Sequence, residues 1–88
     1  MSLVVIDEIT GVLLDEFADE LNDFESLANF ASLEAVEELW NPGTDTYEVR
    51  CVGTRKDSTE AEVFVGFSYY THLTKGHTVF VSAVEVVD

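Results

Sequence analysis

Between Thr10 and Trp40 the chain reads TGVLLDEFADELNDFESLANFASLEAVEELW, a stretch dense in acids that contains no Lys, Arg or His. Unpaired carboxylates are not buried, so whatever this stretch folds into must keep one side in water. Wound as a helix at about 100° per residue from Asp15, the acids Asp15, Glu16, Asp19, Glu20 and Asp23 fall within an arc of about 0° to 140°. Leu13, Leu14, Phe17, Leu21 and Phe24 fall at about 160° to 260°. The spacing therefore predicts an amphipathic helix from about Val12 to Phe30, with a bend near Asn22 or Ser26, residues that disfavour helix interiors. Ser32 reads as a new N-cap, and Leu33 to Trp40 as a second, shorter helix carrying Glu34, Glu37 and Glu38.

Asn41-Pro42-Gly43 must end that helix, because proline lacks an N–H and pushes the preceding residue out of the helical region. Beyond it the hydrophobic period changes to two. Alternation over Tyr47 to Gly53, Glu60 to Tyr70 and His77 to Val87 predicts three strands in an antiparallel meander, with Arg55 to Thr59 as the first hairpin connection. On the second strand Ala61, Val63, Val65, Phe67 and Tyr69 share the face expected to meet the helices. The third strand has apolar side chains on both faces, with Val79, Val81 and Ala83 competing against Phe80, Val84 and Val86. Leu3 to Ile6 fits either an edge strand or the first turn of a helix.

These elements imply an α+β fold: one long or bent N-terminal acidic helix and a short second helix packed on a three-stranded antiparallel β-meander. With 88 residues the chain has room for a single domain, divided into an acidic helical half (1–43) and a sheet half (44–88). A hydrophobic content of 47% is too high for a disordered acidic tail. One cysteine, Cys51, excludes an intramolecular disulfide and favours a reducing, cytoplasmic location. The N-terminus lacks the basic segment of a signal peptide, and the apolar runs are too short to span a bilayer.

The formal charge is −14, and thirteen of the 18 acids precede Val49 with no Lys or Arg among them. Such a field repels nucleic acid and anionic membranes and draws in cationic proteins. Five carboxylates over about 12 Å of helix, one per about 2.4 Å, approach the charge density of duplex DNA, about one per 1.7 Å. Lys and Arg usually relieve like-charge repulsion along a helix, and their omission here needs a reason.

Catalytic equipment is absent from the pattern. Cys51 sits mid-strand as a buried thiol, His72 and His77 have no ligand partners at zinc spacing, and the acids do not follow a calcium-loop spacing. The chain is therefore expected to be neither an enzyme nor dependent on a metal or cofactor. Its expected role is that of an acidic, DNA-mimic-like inhibitor or decoy, of the kind used in phage or mobile-element counter-defence against restriction or CRISPR effectors. Asp15, Glu16, Asp19, Glu20, Asp23, Glu34, Glu37 and Glu38 would form the face that meets a basic, nucleic-acid-binding protein. The competing expectation is a small assembly module, a homodimer joined through an apolar outer sheet face of Phe64, Phe80, Val84 and Val86. Trp40 is expected to close the core where helix meets sheet.

Overall fold

The computed structural model describes residues 3–8, 14–41, 46–72 and 76–88, with the side chains of residues 15, 41, 46, 69–72 and 76–79 outside that description. Most of it is one five-stranded mixed sheet in the order β1-β2-β3-β4-β5, comprising Val4–Ile6, Phe30–Asn41, Thr46–Arg55, Glu60–His72 and Gly76–Val87. β1 runs parallel to β2, and every later pair is antiparallel. At about 3.3 Å per residue, the 13-residue β4 alone reaches about 43 Å, which sets the long dimension of 44 Å.

This corrects the expected α+β architecture in two places. The long N-terminal helix is replaced by a 3-10 turn at Leu14–Phe17, one short helix α1 at Ala18–Asn22 and a second 3-10 turn at Glu25–Leu27. Helix growth stops at Asn22, whose side-chain amide donates to Ala18 O (2.7 Å) while its Oδ1 accepts from the N–H of Leu3 (3.0 Å). The expected second helix over Leu33 to Trp40 is strand β2, paired with β3 along its length and with β1 at Ser32 to Glu34. Intrinsic preference for helix in a Glu- and Leu-rich segment is worth only tenths of a kcal/mol per residue, and the long β3 ladder, joined by β1 at its start, overrides it. Leu3 to Ile6, left open by its sequence, supplies the edge strand β1.

The three expected strands of the C-terminal half are present, slightly longer than their alternation suggested, as β3, β4 and β5. Their connection at Arg55 to Thr59 is a tight hairpin in which Ser58 adopts a left-handed φ of 73°. It is held by Ser58 N–H to Arg55 O (2.9 Å) and Arg55 N–H to Thr59 O (2.7 Å). Asp57 Oδ1 also accepts from both the N–H (3.0 Å) and the hydroxyl (2.6 Å) of Thr59.

Among the described residues, one face of the sheet is covered. Leu33, Ala35, Val49, Cys51, Ala61, Val63, Val65, Phe67 and Val81 turn toward the helical segment and bury with Leu3, Leu14, Leu21, Leu27 and Phe30. Both edges of the sheet reach that segment. At one edge, the N–H of Leu3 is bound by Asn22; at the other, the N–H of Val81 in β5 donates to Glu20 Oε2 (3.2 Å). Two side chains only two positions apart therefore tie down both ends of a five-strand sheet, so the sheet curls around the helical cover.

Bulges explain how the pattern stays consistent along such long strands. In β5 the register shifts opposite Gly66 and Phe67, leaving Ser82 as the extra residue. The shift lets Val81 on one side of it and Val84 and Val86 on the other all pack toward the core. Shifts at Ala31 and Val36 do the same in β2.

Candidate functional site

Seven of the eight acids expected on one plate are described, and they occupy three places. Glu16, Asp19, Glu20 and Asp23 are exposed on the helical cover, joined there by Glu25. The side chain of Asp15 lies outside the described residues. Glu34 and Glu37 point away from the cover, onto the open face of the sheet, because they alternate with buried Leu33 and Ala35 across the Val36 bulge. Glu38 pairs with buried Val49 and so lies on the covered side, beside Tyr47.

The open face has an order that the sequence did not disclose. One row across all five strands reads Ile6, Glu34, Val52, Glu62, Val87. The next reads Glu37, Arg50, Phe64, Glu85, and a third Leu39, Glu48, Gly66, Ala83. Acidic and apolar side chains alternate across the first row, and in the second Phe64 stands between Arg50 and Glu85, so carboxylates and apolar groups are interspersed at about 4.8 Å between strands and about 6.6 Å between same-face neighbours. Among the expected dimer residues, Phe64 and Phe80 fall on this face by register, whereas Val84 and Val86 pack against the core. The exposed large apolar side chains that border or belong to it are Val4, Ile6, Phe80 and Val87.

Arg50 occupies the middle of the face. Its guanidinium spans two strands, donating to Glu37 Oε2 through Nε (3.0 Å) and Nη2 (2.8 Å) and to Glu62 Oε1 through Nη1 (3.4 Å). The hydrogen bond to Glu37 raises the guanidinium pKa further above its already high ordinary value. Arg55 stands at the far end of the hairpin, paired with Asp88 and stacked over the Phe30 ring at 5.0 Å from its centroid. Among the described residues, the ion pairs engage Glu37, Glu62 and Asp88 and none involves the acids of the helical cover.

On the covered side an aromatic run extends from the core to the surface. Phe17 meets Phe67 edge-on at 5.0 Å, Phe67 faces Tyr47 at 6.0 Å, and Tyr47 faces Trp40 at 6.5 Å. Trp40 is not the expected core lid, since 55% of it is exposed. Burial, aided by the carboxylates of Glu38 and Asp7, pushes the Tyr47 phenol above its ordinary range. Cys51 is fully buried and free, and burial, with a smaller contribution from Asp7, pushes its thiol up to about 12. Such a thiol stays protonated and unreactive.

Among the described residues no group of three or more His, Cys, Asp or Glu side chains is placed to hold a metal ion. A depression of about 170 Å³ lined by Asn29, Arg55, Lys56 and Asp57 lies beside the hairpin, smaller than the roughly 300 to 1,000 Å³ typical of small-molecule sites. No helix among the described residues is long and apolar enough to cross a membrane.

Fold and surface together define a small, curled β-sheet protein with an acidic helical cover on one side and an acid-and-apolar lattice on the other. No family model matches the chain, nor does any curated protein or solved structure.

Proposed function

We propose that the protein is a non-enzymatic acidic binding protein that occupies a positively charged, nucleic-acid-binding surface on another protein. One observation carries the reading: both faces of the sheet end in exposed carboxylates, while the described Arg ion pairs engage only Glu37, Glu62 and Asp88. With a formal charge of −14, uncompensated acids raise the energy of the compact state, and a cationic partner removes that cost on binding. The same repulsion weighs against self-association, since two copies would bring like fields together. A role in blocking nuclease, restriction or CRISPR effectors is the biological setting that such chemistry suits.

The test is capture of a nucleic-acid-binding partner at low salt, followed by challenge with duplex DNA. The partner should be released both by raised salt and by DNA, because both compete for the same cationic surface. A variant combining Glu16→Lys, Asp19→Lys, Asp23→Lys, Glu34→Lys and Glu85→Lys should lose the interaction. Retention of binding by that variant, or capture indifferent to salt, overturns the reading.

A further inference from the structure

We infer that the open face of the sheet, rather than the helical cover, is where the cationic partner docks, and that it takes a segment alternating basic and apolar side chains. The inference rests on the cationic-partner reading above and names its surface. Durable contacts need desolvated apolar or aromatic anchors as well as charge. Among the described residues the cover offers mainly charge, because Leu14, Leu21 and Leu27 point inward at 0–3% exposure and the partly buried Phe17 and Phe24 pack against the core. The open face offers both in one lattice, with Glu34, Glu62 and Glu85 set among Val52 and Phe64.

Arg50 shows how that lattice receives a cation. Its guanidinium lies against the face, gripped by carboxylates that reach in from the strands on either side. One row away Glu34 and Glu62 flank Val52 in the same way, and Glu85 stands beside Phe64 on the edge strand. An incoming strand or helix face with Lys or Arg spaced among Leu or Phe would place its cations over these carboxylates and its apolar groups over Val52 and Phe64. A second copy of this chain would instead set glutamate lattice against glutamate lattice, with Arg50 already engaged on each side. The helical cover then contributes long-range attraction, which acts on encounter rates.

A synthetic peptide alternating Lys and Leu serves as the probe, titrated into the full chain with backbone amide shifts followed by NMR. Saturable shifts should concentrate on residues 50–54, 60–64 and 85–87, and Glu34→Lys with Glu85→Lys should weaken binding at least tenfold. Glu16→Lys with Asp19→Lys should weaken it no more than about threefold at moderate salt. An alternating Ser and Leu peptide should not bind. Shifts confined to residues 16–25 would overturn the inference while leaving the cationic-partner reading intact. So would shifts on the open face that grow with protein concentration in the absence of peptide, which identify a second copy as the occupant. Equal binding by the Ser and Leu peptide would remove the charge argument, and absence of saturable binding would overturn the inference outright.

Discussion

Gly53 lies near the end of β3, and its missing side chain is what lets Phe30 enter the core. A Cβ built at that position would stand 2.6 and 2.8 Å from Phe30 Cε1 and Cδ1 and 2.9 Å from Val63 Cγ2. Carbon atoms prefer separations of about 3.5 to 4.0 Å, so three contacts at once demand movement. Neither neighbour can give easily. Val63 is fully buried, and Phe30 is 4% exposed and held under the Arg55 guanidinium. Overpacking of this kind costs about 1 to 3 kcal/mol, and two confined neighbours place Gly53→Ala near the upper end. Removing a strand glycine returns about 0.5 to 1 kcal/mol through the unfolded chain, leaving a net loss of about 2 kcal/mol.

For a domain of this length that loss corresponds to a fall in Tm of about 8 to 16 °C, read by circular dichroism or calorimetry. Gly66 is the internal control. There the three atoms nearest an added Cβ are Ala83 Cβ at 3.6 Å, Ala83 O at 3.7 Å and Ser82 Oγ at 3.8 Å, all ordinary contacts. Gly66→Ala should therefore leave the melt unchanged or raise it by a few degrees. Combining Gly53→Ala with Phe30→Leu should cost less than the two single changes added together, by about 1 to 2 kcal/mol, since the smaller side chain clears the new methyl. A Gly53→Ala protein that melts as late as the parent, or a double variant whose losses simply add, would refute the placement of Phe30 over Gly53.

Four further outcomes follow from local geometry. Glu20→Ala should cost about 1 kcal/mol and speed hydrogen exchange at Val81, because it strips the acceptor from an edge N–H; Glu20→Gln should retain most of the protection, and equal exchange in all three proteins would refute the edge tie. Ser58→Gly should raise stability by about 0.5 kcal/mol in denaturant melts by relieving a left-handed backbone, and a lower midpoint would count against it. Thr59 holds the Asp57 carboxyl below its ordinary value near 3.8, so its contribution is present above that pH and lost as pH falls through the lower folded value. Asp57→Asn should accordingly flatten the acid limb of the stability curve below about pH 4. Cys51 has the opposite sign: its folded pKa is raised from 9.0 to about 12, so stability is intact below pH 9 and declines between 9 and 12 as the unfolded thiol ionises, while thiol labelling at neutral pH should proceed at the global unfolding rate.

Where the strands obey a clean period of two, their sequence was enough to find them. β3 and β4 alternate without interruption through Val49, Cys51, Val63 and Val65, and those residues are buried as expected. β2 defeats the same reading because it carries two bulges. The extra residue at Val36 leaves Leu33, Val36 and Leu39 three apart, a helical spacing in a segment of good helix formers, although the backbone is extended throughout. The sequence of β5 was ambiguous for the same reason: Ser82 shifts the phase, so Val81 and Val84 face one way despite their odd separation. None of the three extra residues, Ala31, Val36 and Ser82, is a glycine, and all three bulges depend on the register of the neighbouring strands.

The acidic surface was legible in quantity and illegible in arrangement, and the difference comes from the same period error. Read at 3.6 residues per turn, Glu34, Glu37 and Glu38 extend the plate begun by Glu16 and Asp19. Read at two, with a bulge at Val36, Glu34 and Glu37 turn to the opposite side of the sheet and Glu38 remains behind. Glu62 and Glu85, absent from any local pattern of acids, become their neighbours only through strand pairing between segments far apart in the chain.

Long exposed sheet edges template pairing with other chains, and this sheet carries features that oppose it. Charge supplies part of that opposition at long range, through the repulsion of a −14 surface. At contact range side chains of the cover act locally: the Glu20 carboxylate occupies an outward N–H of β5, and the Asn22 amide oxygen takes the N–H of Leu3 beside β1. Carboxylates on the cover therefore have a structural duty distinct from those on the open face. Glu20 spends its acceptor on closing the sheet, whereas Glu34 and Glu85 stand exposed beside apolar neighbours in a lattice that already grips one guanidinium. That division is why charge reversals on the two sides should separate, the open face altering the affinity for a cationic segment and the cover altering chiefly the salt dependence of its arrival.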